Sequence, residues 1–214
     1  GAIIAFGFLL AVLFGGRMAY KWKMSLDKMI DVLIYGTLAG IIGARLYYVF
    51  SKWDYYGAHL SEIPQIWNGG LAIYGGIIGG IIAAFVVCKV RKMNFWNLFD
   101  IASMSLLIGQ GIGRWGNFVK VEAFGSNTTL PWGMSGNLIQ SGANTNTVLE
   151  NFDPSLPVHP TFLYESLWNI LGFVLINLFY GLKAEKTHKK YDGQIFLMVF
   201  AWYGFGRMLI EGLR

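Results

Sequence analysis

Long apolar runs recur along the whole chain, broken by polar connectors of unequal length. Runs at about 2–20, 29–50, 70–88, 98–119, 160–182 and 193–211 each supply the roughly 17–25 residues that an α-helix needs to cross a hydrocarbon core. The pattern predicts an all-α, polytopic membrane helix bundle with six spans, forming a single transmembrane domain over 1–214. The connector 120–159 is long, polar and rich in Gly, Asn, Ser and Thr. It is too long for a turn and is expected to form an exterior loop or small cap between spans four and five. Within the runs, Gly36/Gly40, Gly75/Gly79 and Gly76/Gly80 are small-xxx-small pairs, the spacing that lets helix backbones approach closely in lipid.

Composition agrees with this pattern. Of 214 residues 55% are hydrophobic and 14% charged, too little charge to cover a soluble domain of this size. The net charge of +5 therefore concerns topology and anionic lipid, and no nucleic-acid partner is expected. Arg17, Lys21, Lys23 and Lys28 follow the first span; Lys89, Arg91 and Lys92 follow the third; Lys183, Lys186, Lys189 and Lys190 follow the fifth. The alternate connectors, 51–69 and 120–159, carry only Lys52 and Lys120. By the positive-inside rule the first set is cytoplasmic and the second faces the other compartment. Cys88, the one cysteine, lies in an apolar run and is expected to be inert. No cleavable signal peptide is expected, because the first run is followed by further spans. The chain starts at Gly1 inside an apolar run, and its native start is expected to be missing.

The charges inside the runs change the picture most. Arg45, Arg114 and Arg207 each fall late in an outward-running span, so all three are expected in the outer half of the membrane; Arg214 ends the chain just beyond a span. An arginine at a helix centre costs about 2.5–3.5 kcal/mol on insertion scales and needs a reason to be there. Arginine, rather than lysine, favours bidentate recognition of phosphate or carboxylate. Glu122, Glu165 and Glu211 gather at the same level. Arg207 and Glu211 are spaced i, i+4 and suit a local ion pair, whereas Arg45 and Arg114 have no partner at helical spacing and require a ligand or a distant group. Snorkelling of each arginine to the headgroups is the plain alternative. Gln110, Arg114, Asn117 and Val121 share one helical stripe, Tyr203, Arg207 and Glu211 a second, and Glu165 with Asn169 a third. Such stripes should face one another or a cavity, which predicts a polar chamber with a cationic floor for an anionic head group.

No H-E-x-x-H, no G-x-S-x-G and no paired Cys/His metal spacing occurs, so no metal and no cofactor is expected. His59, His159 and His188 all lie in connectors, and His159 before Pro160 suits the start of a helix as well as catalysis. A nucleophile should come from a substrate, with the protein supplying positioning and electrostatics. Gly111, Gly113 and Gly116 spell G-x-G-x-x-G, but no strand precedes them and no βαβ unit surrounds them, so a dinucleotide site is excluded.

The stretch "GIGRWGNFVKVEAFG" resembles the signature of prolipoprotein diacylglyceryl transferases, and "GARLYYVF", "WNGGLAIYGGIIGG", "HPTFLYES" and "YGFGRMLIEGLR" are similar to other segments of that family, in the same order. The resemblance covers essentially the whole chain. It implies a multi-pass protein of the bacterial cytoplasmic (inner) membrane with its active site toward the outer leaflet. It further implies transfer of the diacylglyceryl group of phosphatidylglycerol to the lipobox cysteine thiol of a preprolipoprotein signal peptide. A thioether forms and glycerol phosphate leaves, the first step of lipoprotein maturation. On that basis Arg114 and Arg207 hold the lipid phosphate and stabilise the departing charge. Asn117, Glu122 and Gly125 match the other signature positions, and Glu165, Tyr203 and Glu211 match polar site residues, with Arg45 as a further substrate contact. At Tyr74 many relatives carry a histidine proposed as the base. A phenol, with an ordinary pKa near 10, is a poor base, so Tyr74 either orients the head group or leaves the proton to Glu122 or Glu165. The family also implies a seventh span beyond Arg214 and a tyrosine before Gly1. The competing readings are a transporter or flippase for an anionic lipid or solute, to which Gly-interrupted spans and buried arginines are also suited, and a structural scaffold. A transporter should carry polar residues through the inner halves of its spans, where only Asp31 and Asp100 stand.

Overall fold

The computed structural model describes residues 1–136, 139, 153, 155–181 and 190–213. Lys183, Lys186, His188, Lys189, Arg214 and much of the 120–159 connector lie outside the described residues. The chain is all-α: α1 (Ala2–Lys21), α2 (Leu26–Ser51), a short α3 (Trp53–Tyr56), α4 (Ile73–Val90), α5 (Phe95–Lys120), α6 (Thr161–Ile176) with a π-helical extension over Asn177–Gly181, and α7 (Gln194–Glu211). Among the described residues, β pairing is limited to isolated bridges of Val158 to Asn127 and Met134. Among the described residues, four helices are long and apolar enough to cross a membrane: α1, α2, α4 and the Thr161–Tyr180 run that contains α6. Six spans were expected. The other two, α5 and α7, have 26 and 18 residues but are diluted by Asp100, Arg114 and Lys120 and by Gln194, Arg207 and Glu211.

The helices belong to two compact units, Lys23–Leu98 and Gly1–Trp22 with Phe99–Arg214. In the first, α2 and α4 pack as an antiparallel pair through their glycines. A methyl group at Gly40 would stand 3.4 Å from the Gly76 carbonyl, and one at Gly80 would stand 3.7 Å from that of Gly36. The closest approach involves Gly43, which the small-xxx-small pairs had not included. A Cβ there would run into the Gly75 carbonyl, and one at Gly75 would run into Gly43 and Tyr47. Small residues let two backbones meet where lipid offers no hydrophobic drive for association. Arg91 pairs with Asp31 at 2.5 Å near the ends of the same two helices.

In the second unit, α5 is the hub. Ser105 sits against Gly15 of α1, and a Cβ at Gly7 would stand 3.2 Å from the Gly109 carbonyl. On another face of α5, Gly111 admits α6: the Ser166 hydroxyl donates to the Gly111 carbonyl at 2.7 Å and accepts from Trp115 Nε1 at 3.2 Å. The glycines of the G-x-G-x-x-G stretch thus differ in use. Gly111 marks a close helix contact, while a side chain at Gly113 would meet open space.

Buried Asp100 fixes the far end of α7, accepting the backbone N–H groups of Gly193 and Phe196 at 2.9 Å each. That carboxylate acts as an N-cap supplied from another helix, and its charge suits the positive end of the α7 dipole. At their crossing, α6 and α7 carry the same pattern, Trp-x-x-x-Gly, at Trp168/Gly172 and Trp202/Gly206. Each indole lies on the other helix's glycine, the rings stack with centroids 4.3 Å apart, and each Nε1–H donates to the other tryptophan's carbonyl, at 2.9 and 3.0 Å. A Cβ at either glycine would collide with an indole, so the crossing is held in one register.

Candidate active site

The α6–α7 lock places Glu165 one turn before Trp168 on α6 and Arg207 directly after Gly206 on α7. The Gly111–Ser166 contact brings Arg114 of α5 to the same carboxylate. Arg207 Nη1 donates to Glu165 Oε1 at 2.8 Å, and Arg114 Nη2 stands 2.5 Å from Glu165 Oε2. Glu165 is 3% exposed, so two guanidinium groups from separate helices share one buried carboxylate. The two contacts are unequal. The Arg207 contact is an aligned hydrogen bond, whereas Oε2 accepts no aligned bond and the Arg114 contact is an ion pair by proximity. Arg207 also binds Glu211 across one turn through Nη2, as the i, i+4 spacing predicted, and Glu211 is exposed. Among the described residues Arg114 and Arg207 meet Glu165, and Arg207 also meets Glu211, so Glu165 is a counter-ion to the two guanidiniums and not part of an opposing wall.

Tyr203 and Asn169 lie one turn from Arg207 and Glu165 on the same helices, and with them line a small recess. Asn117 is half-buried three residues beyond Arg114, and its side chain has no hydrogen-bond partner among the described residues.

Beyond α5 the backbone turns sharply. Val121 has φ +53° and Ala123 has φ +57°, so Glu122 stands between two residues in the left-handed region. For a β-branched residue this is a strained conformation, of order 1–3 kcal/mol. It is held from outside the turn, since the Thr161 hydroxyl donates to the Ala123 carbonyl at 2.6 Å and Phe124 packs with Ile139 and Val158. The result projects the Glu122 side chain outward, exposed and without a partner among the described residues. Nothing in the sequence reading singled out Val121 as strained; a valine between polar signature positions gives no such signal.

Gly125, expected as a substrate contact, has a packing role in the fold. Its N–H donates to the His159 carbonyl at 2.9 Å, and an added Cβ would stand 2.6 Å from the Leu213 carbonyl and 2.9 Å from the His159 side chain. It is the point where the loop after α5, the start of α6 and the end of α7 meet without room for a side chain. His159 itself lies 3.3 Å from the Tyr164 hydroxyl, which also accepts from Trp132 Nε1 at 2.9 Å. Further along the loop, Asp153 accepts both the hydroxyl and the backbone N–H of Ser155, which hold its carboxyl below the usual range.

Arg45 and Tyr74 belong to the Lys23–Leu98 unit. The Arg45 guanidinium, expected to need a ligand or a distant group, is taken up by its own connector. Nε donates to the Ile63 carbonyl at 2.7 Å, Nη1 to Gly69 and Gly70 at 2.8 and 3.1 Å, and Nη2 to Glu62 at 2.7 Å, with the Tyr56 ring beneath it at 5.2 Å. Gly69 and Gly70, with φ +82° and +74°, provide the turn that aims two carbonyls inward. Arg45 is 5% exposed and has no carboxylate partner among the described residues. Tyr74 opens α4, is 71% exposed, and its hydroxyl has no partner among the described residues.

A family profile described as prolipoprotein diacylglyceryl transferase matches residues 1–214. The chain is similar to phosphatidylglycerol–prolipoprotein diacylglyceryl transferases of Listeria welshimeri (42% identical over 214 residues), Listeria monocytogenes (41% over 214) and Staphylococcus aureus (41% over 216). All of this chain aligns in each case, against 73%, 73% and 72% of those proteins. These comparisons give the transporter alternative no support, and with its apolar helices the chain is a membrane protein of bacterial origin. Its sequence, helical fold and ordered motifs place it in one family: the chain belongs to the prolipoprotein diacylglyceryl transferases.

Proposed function

We propose that this chain transfers the diacylglyceryl group of phosphatidylglycerol to the cysteine thiol of a prolipoprotein, at the outer leaflet of the bacterial cytoplasmic membrane. The observation that supports this most is the convergence of Arg114 and Arg207 on Glu165, with the exposed Glu211 as the outer partner of Arg207. A phosphodiester carries one negative charge, as Glu211 does. A lipid phosphate that takes the place of Glu211 on Arg207 brings the same single charge to that guanidinium, so binding exchanges one anion for another there.

In the reaction the thiol sulfur attacks the glyceryl carbon bonded to a phosphate oxygen. The S–C bond forms, the C–O bond breaks, and glycerol phosphate leaves with the electron pair. Negative charge grows on the leaving phosphate, and fixed guanidinium donors lower the barrier where they bind that charge more tightly than the ground state. The Arg114 contact to Glu165 is unaligned, so Arg114 has a donor to redirect as the charge develops. A cysteine thiol has an ordinary pKa of about 8.5 and needs a base near neutral pH. Glu165 is occupied by two cations. Glu122, exposed and unpaired among the described residues, is the carboxylate available to take the proton. Asn117 and Tyr203 contact the head group.

The test is direct. Protein reconstituted with phosphatidylglycerol labelled in its diacylglyceryl part should attach the label to a lipobox peptide through a thioether, and leave unlabelled the same peptide with serine for cysteine. No transfer to the cysteine peptide would overturn the proposal.

A further inference from the structure

Asn169 stands apart from the charged cluster. It is 2% exposed, yet its side-chain amide has no hydrogen-bond partner among the described residues, and it lines the recess beside Arg207 and Tyr203. The amide is not sealed off: its polar atoms reach the recess, where a ligand rather than the protein can pair them. Its place in the fold is fixed. Asn169 follows Trp168, whose indole is stacked on Trp202 and bonded to the α7 backbone. Because α6 and α7 run antiparallel, Asn169 and Tyr203 sit one turn deeper than Glu165 and Arg207, on the same wall.

We infer that Asn169, with Tyr203, binds the hydroxyl-bearing glycerol head of the anionic phospholipid while Arg207 binds its phosphate, which makes Asn169 a residue that selects the lipid by its head group. This rests on the transferase reading above. An amide offers a donor pair and an acceptor side by side. A phosphate oxygen only accepts and would leave the amide carbonyl unpaired. An ammonium head group only donates and would leave the amide N–H groups unpaired. An alcohol does both. A site built to bond a hydroxyl rejects an analogue lacking it because its own buried groups are then unpaired.

The experiment compares kcat/KM for transfer to a lipobox peptide from phosphatidylglycerol and from phosphatidylethanol, which has the same charge and no head-group hydroxyl. The ratio within one preparation does not depend on how much of the protein is folded. The unaltered protein should favour phosphatidylglycerol by about tenfold to a hundredfold, the scale of one or two lost hydrogen bonds. In Asn169→Leu, close to isosteric, the ratio should fall toward one; in Asn169→Ser, which keeps a donor and acceptor, it should stay in between. No preference in the unaltered protein, or a preference that Asn169→Leu leaves intact while both rates fall together, would overturn the inference and leave the transferase reading standing. Transfer from neither lipid by the unaltered protein would overturn both.

Discussion

Arg45 and Arg207 occupy matching positions, each late in an apolar helix, and have opposite environments. Arg45 is held by four backbone carbonyls and an aromatic face, with every edge of its fork engaged by its own connector. Arg207 is held by two carboxylates, one buried and one exposed. Carbonyls on a connector cannot be exchanged without unfolding that connector. An exposed carboxylate can be exchanged for another anion at little cost, since water receives it. The difference separates an arginine that folds the chain from one that can bind a substrate, and the partner decides it, not the depth in the membrane.

The largest effect should follow removal of the exchangeable guanidiniums. Arg207→Ala or Arg114→Ala should lower the rate of transfer by about a hundredfold to a thousandfold, the range for losing one transition-state charge donor. Lys120→Ala on the same helix should change it by less than about twofold, as for an exposed surface charge. Comparable losses from all three, measured on folded protein, would mean that the site needs only a general cation.

Arg45→Lys should give the next largest effect, and on a different quantity. An ammonium cannot reproduce a planar fork onto carbonyls from Glu62, Ile63, Gly69 and Gly70, so stability should fall by about 2 kcal/mol as carbonyls lose their donors. A lowered unfolding midpoint in detergent, with transfer per folded molecule largely kept, is the expected result. An unchanged midpoint with lost transfer would place Arg45 in the site and end the comparison.

Tyr74→Phe should give the smallest effect. Its hydroxyl is not used by its own unit among the described residues, so removing it breaks no bond within that unit. One neutral hydrogen bond amounts to about 0.5–1.5 kcal/mol, so the rate should fall by no more than about tenfold. Complete loss would give the phenol a direct part in proton transfer.

Much of this site can be read from the chain, and the unreadable part has a physical cause. The Arg207–Glu211 pair follows from i, i+4 spacing, and Glu165 with Asn169 was legible as a polar stripe. The sharing of Glu165 by Arg114 was not, because residues 114 and 165 meet only through the Gly111–Ser166 contact and the indole lock at the α6–α7 crossing. Two Trp-x-x-x-Gly patterns were visible, but nothing local says that each tryptophan lies on the other's glycine. Gly69 and Gly70 were legible only as part of a family-like segment and not as the socket for Arg45, since the socket exists only once the connector folds back onto α2.

Local and compositional forces set what the sequence by itself determined: all-α membrane helices, their approximate limits, the small-residue faces of α2 and α4, and the residue types able to handle a phosphate. These depend on hydrophobicity and periodicity, which act over one helix at a time. Tertiary structure decided the partner of each buried charge. A guanidinium in an apolar setting must be satisfied by whatever group packing brings within about 3 Å. Packing gave Arg45 the carbonyls of its own connector, and gave Arg114 and Arg207 a carboxylate to share.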